Sequence, residues 1–559
     1  ELLCGMTKMD ELAKAYNKRD LPPEIERALA DYTIGEPRWN EAKQLHEAGD
    51  VILTREIFKK MIPHVKKQQI DEIDWSIRAF TDPKLYMDTE LLSNYGYEVA
   101  ERKKQVLVEA GLESRDLLMS NDRYAEALEN LGVIPPTKVS AKTGKVSYAF
   151  AKTDEAHIAL LDHDNPDVQA LVAARLEHKS TIEETRTKLY LEASTRGAWP
   201  VGYNYAGAYV TQRLSGNKGG GGNPQNIGRA SPLRKAIYAE EGKEIGVADL
   251  SQIEARIVLW LGMQIAGSDS EEAKALEVMA SGGDIYGWFG TKIYGYEITK
   301  EKTPHERQIA KSAVLGLGYG MGHVRFIEYC KQSGIKGVDE QFAKDIVKLY
   351  RTTFKGVAKF WKECQNAVSS MVHGEYGYNL PSMGHTLVTT GLDPLMKGPA
   401  LIRPNGMTVK YPQLLKDVES GELTYLDGKT RVKLFGGKIC ENIVQAIAAD
   451  ILRTQLLTID CRYPDYISYM PAEGIDEELQ GVRENCYVCM TTHDEVACLI
   501  DSAAADVREW LADKGKFKTI STGAFTDYIL RIMRTPVPYM PGLPLDAETG
   551  TAYAYGYAK

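Results

Sequence analysis

Three short stretches of this chain combine residue types that can do chemistry. The first ends at Asp249, which closes the apolar run Ile245-Gly246-Val247-Ala248 ahead of a helical pattern. A carboxylate at the end of a buried strand is rigid and partly desolvated, which suits a divalent cation and its demand for fixed oxygen ligands. Asp249 and Ser251 are also good residue types for a helix N-cap. The second stretch is Thr492-His493-Asp494-Glu495-Val496, an acidic turn with strongly apolar flanks. Acidic residues are ordinary in turns, but these flanks place the turn near a sheet core, where Asp494 and Glu495 can join Asp249. Two metal ions about 4 Å apart, bridged by a carboxylate, form the usual clamp for phosphoryl transfer. In the third stretch Arg307, Lys311, Leu315 and Tyr319 recur at every fourth position and share one slowly drifting helix face. Two cations, an aliphatic group and a ring on one stripe can meet phosphates, sugar and base in that order. The same pattern describes a surface helix whose Lys and Arg stems cover apolar neighbours. Its glycines match neither the dinucleotide fingerprint nor the P-loop, because Lys311-Ser312 lacks the preceding Gly.

The elements that must position these residues follow from periodicity. A strand is expected over residues 245–250, then a helix over 252–264. Pro304 suits the start of a helix over 304–315. A further helix is expected over 438–458 and a hairpin over 486–501. Residues 66–190 are mostly helical in pattern, with Val106, Leu107 and Ala110 on one face and Gly111 as a stop. A second helical stretch runs from Val168 to Glu192. Residues 215–224 read as a flexible loop. Residues 380–436 read as irregular or short β structure, and the tail is rich in Pro, Gly and Tyr. No solenoid-type repeat is present.

At 559 residues the chain has room for three to four domains. With 43% hydrophobic and 26% charged residues it is an ordinary globular composition, which excludes collagen-like, coiled-coil and wholly disordered classes. No apolar run is long enough to span a bilayer, so no membrane association is expected. No basic-then-apolar leader opens the sequence, and no secretory signal is expected. Eight scattered cysteines fit a reducing compartment, hence a cytoplasmic location. Cys486-x-x-Cys489 reads as buried strand thiols rather than half a zinc site, and no structural zinc is expected. The net charge of −9 argues against a nucleic-acid partner, yet residues 171–240 hold ten Lys/Arg against five Asp/Glu. One local surface can therefore meet a phosphate backbone, or be a solvated charged face.

Taken together, the three stretches are similar to known motifs. Asp249-Leu250-Ser251-Gln252-Ile253-Glu254-Ala255-Arg256 resembles motif A of the family A (DNA polymerase I-like) DNA polymerases. Arg307…Lys311…Leu315…Tyr319-Gly320 resembles their motif B, and His493-Asp494-Glu495 their motif C, in the right order. Thr211-Gln212-Arg213-Leu214-Ser215 with Asn223-Pro224-Gln225-Asn226-Ile227 is similar to the segment upstream of motif A that touches the primer–template. Arg175…Lys179-Ser180-Thr181 looks like the end of the thumb, and Glu441–Ala446 like the helix before motif C in bacteriophage members. The resemblance covers about residues 66–559. It implies an α+β right-hand fold: a palm with an antiparallel sheet, helical fingers and a thumb. Residues 66–190 would be thumb and connecting helices, 191–270 the first part of the palm, 271–437 fingers with an insertion, and 438–559 the second part of the palm. Residues 1–65 would be the C-terminal remnant of a 3′–5′ exonuclease-like domain.

The activity implied is template-directed addition of dNTPs to a primer 3′ end by two-metal phosphoryl transfer, in DNA replication of bacteriophage type. Asp249, Asp494 and the Leu250 carbonyl would bind two Mg²⁺ ions, with Mn²⁺ as a substitute. Arg307 and Lys311 would grip the triphosphate, with Lys311 as general acid to pyrophosphate. Tyr319 would stack near the template base and Gly320 allow its close approach. Glu254 would exclude ribonucleotides at the sugar 2′ position. Arg213, Asn226, Gln445, His493 and Lys179 would contact the primer–template.

Leu315 stands where Phe or Tyr is usual, which implies poor use of dideoxynucleotides. Tyr286 takes the place of a triphosphate-contacting His, Glu441 that of Asn, and Gln212 that of the Gly in Thr-Gly-Arg. His46…Asp50 looks like the last exonuclease motif with His for Tyr; the earlier acidic motifs are absent, so this chain alone is expected not to proofread. The implied partners are primer–template DNA, dNTPs and a processivity factor or other replisome proteins, in the bacterial host cytoplasm if viral. Two alternatives share some of these features. A single-subunit RNA polymerase has the same palm chemistry but no use for Glu254. A silent DNA-binding scaffold has no use for Asp249, Lys311 and Asp494.

Overall fold

The strand that ends in Asp249 and the acidic turn belong to one sheet. The computed structural model describes residues 55, 57–59, 61–139, 144–152, 154–217, 222–228, 231–394, 397–428, 430–469, 477–511 and 516–558. Within it, Lys243–Leu250 (β1) lies between two partners. Tyr487–Thr492 (β2) and Glu495–Asp501 (β3) form the expected hairpin, and Ala547–Ala552 (β4) closes the other side. The order is β2-β3-β1-β4, with every pair antiparallel. Ile245 to Ala248 are all buried, as expected for a central strand covered on both faces. The register sets Asp249 directly opposite Glu495 on one side and Glu548 on the other.

Two separate cores are joined by one helix. Thr89–Glu109 (α1) places Leu92, Tyr95 and Val99 in the main core, which includes the sheet. Two turns later its Val106 and Leu107, with Ala110 just beyond, pack on a second core. That core gathers Tyr124, Leu128, Val168, Leu171 and Val172, the last three from Pro166–Lys179 (α2). Gly111 has φ +66, a left-handed stop that glycine adopts without strain.

Ile253–Ala266 (α3) follows β1 and is apolar almost all round, so it is buried. Pro304–Leu317 (α4) carries the fourfold stripe. Lys355–Met371 (α5) crosses α3 at very close range, because a Cβ at Gly356 would fall inside the van der Waals shell of the Gly262 carbonyl. Gly436–Ile459 (α6) is the predicted helix before the hairpin, two residues longer at its start. Ala524–Arg534 (α7) lies across the sheet, its Phe525 against Gly246.

Between α5 and α6 the chain forms two small antiparallel sheets, four strands within Asn379–Lys410 and three within Leu415–Leu434. This agrees with the expectation of short β structure there. These sheets pack on the main core through Leu380, Val388, Leu401, Val409 and Tyr411, and Arg403 at their edge donates to Asp450 of α6 and to Gln212. The exonuclease-like motif at His46 and Asp50 lies outside the described residues, as does the Gly-rich stretch 218–221. No helix among the described residues is long and apolar enough to cross a membrane.

Candidate active site

The β2–β3 turn brings the two predicted acidic groups together. His493 adopts φ +56, and the left-handed residue makes the turn tight. The Leu250 amide then donates to the Asp494 carbonyl at 3.0 Å, tying the end of β1 to the hairpin tip. Asp249, Asp494, His493 and Asn226 line one cleft of about 410 Å³. Asp249 is not a helix cap: α3 begins after Gln252, at φ +55, with no side-chain cap.

Burial pushes the Asp494 carboxyl up to about 6; Arg213 opposes this, while Glu254 and Asp249 add to it. Arg213 sits between two acids, its Nη2 3.9 Å from Asp494 Oδ1 and its Nη1 3.8 Å from Glu254 Oε1. Both distances are too long for hydrogen bonds. Two carboxylates beside a strand-end carbonyl are hard oxygen donors of the kind Mg²⁺ takes, so the residues present fit that ion.

Glu495, considered above as a further ligand, has another role. It is buried and accepts from Arg234 Nη2 at 2.9 Å and from the Tyr555 hydroxyl. The Arg234 guanidinium lies 3.9 Å from the Tyr555 ring centroid. Glu495 thus anchors the hairpin base, and with Arg234 it forms part of the cleft wall beside Asp249 and Asp494. A buried carboxylate needs such pairing.

The fourfold stripe is the open face of α4. Residues 307, 311, 315 and 319 are partly exposed, whereas 312–314 and 316–318 are buried. Arg307 forks onto Asp284, Nε to Oδ2 at 2.5 Å and Nη2 to Oδ1 at 3.0 Å. The buried ring of Tyr286 lies 5.3 Å from the Arg307 guanidinium and 5.8 Å from Lys311 Nζ, so two cations share one aromatic platform. Burial pushes the Tyr286 hydroxyl up to about 12. At the far end of the stripe the Tyr319 hydroxyl donates to Glu254 Oε2 at 2.7 Å, joining the end of α4 to the start of α3. Burial, then Glu254, raises the Tyr319 hydroxyl well above its ordinary value, so it stays a donor. The start of α6 packs against this point: a Cβ at Gly437 would collide with the Tyr319 carbonyl.

The family model for DNA polymerase family A matches residues 88–379, just over half of the chain. The chain belongs to DNA polymerase family A. The chain is 32% identical to the DNA polymerase of Bacillus phage SP02 over 265 residues, which are 45% of this chain and 38% of that protein. It is 27% identical to DNA polymerase I of Synechocystis sp. over 54% of this chain and 28% of that protein. The matches thus span well under half the length of these curated relatives. Its fold matches the POL domain of Pol1 from M. smegmatis, solved in complex with DNA primer-template and dNTP. That match has a TM-score of 0.62 at 18% identity, over 99% of this chain and 79% of that one. The expected α+β right-hand polymerase fold is therefore present.

The sheet β1–β4 carries Asp249, Leu250 and the turn with His493 and Asp494, and Arg213 and Glu254 lie beside them. Tyr319 reaches the same group, and Gly320 follows it at φ +77. Arg307, Lys311 and Tyr286 form a second group farther along α4, with Leu315 between. Gln445 lies one turn beyond Glu441 on α6 and donates to it at 3.5 Å. Lys179 stands apart, on the second core, where its ammonium donates to the Met119 carbonyl at 3.1 Å. Asp284, Arg234, Tyr555 and Arg403 were not among the sequence candidates. Only Asp284 carried a local signal, as an N-cap two residues before Tyr286.

Proposed function

We propose that this chain is a template-directed DNA polymerase that adds dNTPs to a primer 3′ end by two-metal phosphoryl transfer, as part of phage-type DNA replication in a bacterial cytoplasm. The observation that carries the reading is the convergence of Asp249 and Asp494 in one cleft beside Arg213 and the Glu254–Tyr319 pair. The phage SP02 polymerase as a relative, and the primer-template and dNTP in the M. smegmatis structure, support the same substrates here.

Asp249, Asp494 and the Leu250 carbonyl would hold two Mg²⁺ ions, which lower the pKa of the primer hydroxyl and neutralise the triphosphate. Arg307 and Lys311 present cations on the open face of α4 and orient the triphosphate; Lys311 supplies a proton to the departing pyrophosphate. Glu254, fixed by Tyr319, stands where a 2′ hydroxyl would enter. Arg213 holds Glu254 and Asp494 in one arrangement.

Primer extension on a defined template with Mg²⁺, with dNTPs and NTPs in parallel, tests the reading. Extension with dNTPs alone is expected. Extension with NTPs would move the chain to RNA synthesis, which the Glu254 gate opposes. Tight primer–template binding without extension would make it a silent scaffold.

A further inference from the structure

Gln212 departs from the small residue expected beside Arg213, and it is not a passive replacement. It holds φ +57, a backbone conformation that favours glycine, and it is buried. Both of its polar ends are gripped from other elements. Its side-chain Oε1 accepts from Arg403 Nη2 at 2.7 Å. Its backbone carbonyl accepts from Arg453 of α6. Arg403 comes from the inserted four-stranded sheet, 191 residues away, and its other arm donates to Asp450 Oδ1 at 2.6 Å and to the Ala446 carbonyl at 3.2 Å. Arg453 Nε lies 3.7 Å from Glu72 Oε2, so two cations and two carboxylates balance each other in the interior around one neutral amide. The next residue along the chain is Arg213, the cation between Asp494 and Glu254.

From this geometry we infer that Gln212 and Arg403 are positioning residues through which the inserted β sheet sets the Arg213 guanidinium against Asp494 and Glu254. The inference rests on the polymerase reading and deepens it. Gln212 fixes the backbone from which Arg213 projects. Arg403 fixes Gln212, and the insertion fixes Arg403. Nucleotide addition and sugar selection in this chain then depend on a segment that contributes no side chain to the cleft lining.

Two variants test this without removing a buried charge. Gln212→Gly suits the left-handed backbone and removes the side chain to which Arg403 donates, while the backbone carbonyl that Arg453 holds is kept. Arg403→Lys keeps a cation beside Asp450 and cannot reach Gln212 as well. Each is measured for kcat and KM in single-nucleotide addition, for the dNTP-to-NTP preference, and for Tm, alone and combined with Arg213→Ala. The expected result is a fall in kcat of about tenfold, a several-fold loss of sugar preference and little change in Tm, with less than twofold further loss in the Arg213→Ala background. Equal losses with and without Arg213, or unchanged kcat and sugar preference, would overturn the positioning role. A wild-type chain that extends no primer would overturn the polymerase reading and this inference together; wild-type extension with unaffected variants overturns the inference alone.

Discussion

Glu254 is held from two sides, by the Tyr319 hydroxyl at 2.7 Å and by Arg213 at 3.8 Å. Only the first is a hydrogen bond, and a hydrogen bond to a charged group is worth about 1.5–3 kcal/mol. Tyr319→Phe is therefore expected to let Glu254 move and to reduce discrimination against ribonucleotides by about tenfold, the equivalent of about 1.4 kcal/mol. The ratio of kcat/KM for dNTP and NTP measures it; an unchanged ratio would mean that Tyr319 does not hold the gate. The two site aspartates and the fourfold stripe were legible because each is written in a short local pattern. The fate of Glu495 was not. Its partners Arg234 and Tyr555 lie 261 and 60 residues away, and partner choice over such distances is a property of the fold.

At the level of elements, two tests concern how helices are joined. The Gly437 Cα lies against the Tyr319 carbonyl, so Gly437→Ala forces α6 away from the end of α4. Overpacking of this kind typically costs about 1–3 kcal/mol. The expected outcome is a lowered Tm together with loosened sugar selection, because the displaced residue is the one that holds Glu254; a lowered Tm alone would separate the two. The second core has a built-in acid sensitivity. His157 is fully buried, shares a hydrogen bond of 2.8 Å with Tyr124, and burial with the nearby Arg175 holds it below its ordinary value. The unfolded histidine protonates near its ordinary pKa of about 6.5, while the folded one resists. The contribution is thus neutral above that pH, and stability falls as pH drops below it, levelling off only once the folded group protonates. Protection factors, corrected for the intrinsic pH dependence of exchange, should fall in residues 121–130 and 166–179 between about pH 7.5 and 5, and His157→Gln should flatten that dependence; equal pH dependence in both proteins would refute it. Of the elements, β1, the hairpin, α3, α4 and α6 were visible in apolar patterning. The tail hid β4, because Ala-Glu-Thr-Gly-Thr-Ala carries no apolar alternation and becomes a strand only by pairing with β1.

For the whole molecule, the net charge of −9 argues against a nucleic-acid partner only as a total, because a partner meets local surface and not the sum. Asp284 pairs with Arg307, Glu495 with Arg234 and Asp450 with Arg403, one acid to one cation, so these pairs leave the net charge unchanged. What a polyanionic partner would meet is the partly exposed stripe of Arg307 and Lys311 on α4. The inserted sheets and their grip on Gln212 could not be read in advance, since nothing in a Gly-, Pro- and Tyr-rich segment names its distant partner. The central claim is that Asp249 and Asp494 carry the chemistry and not the binding. Single-nucleotide extension by the wild-type chain and by Asp494→Ala, on the same primer–template and with its Kd measured in parallel, tests that claim most directly. Loss of extension by at least about a thousandfold, on the order of 4 kcal/mol, with a Kd within about threefold of wild type, is the predicted result. Substantial residual extension, or a Kd that collapses along with the rate, would contradict it.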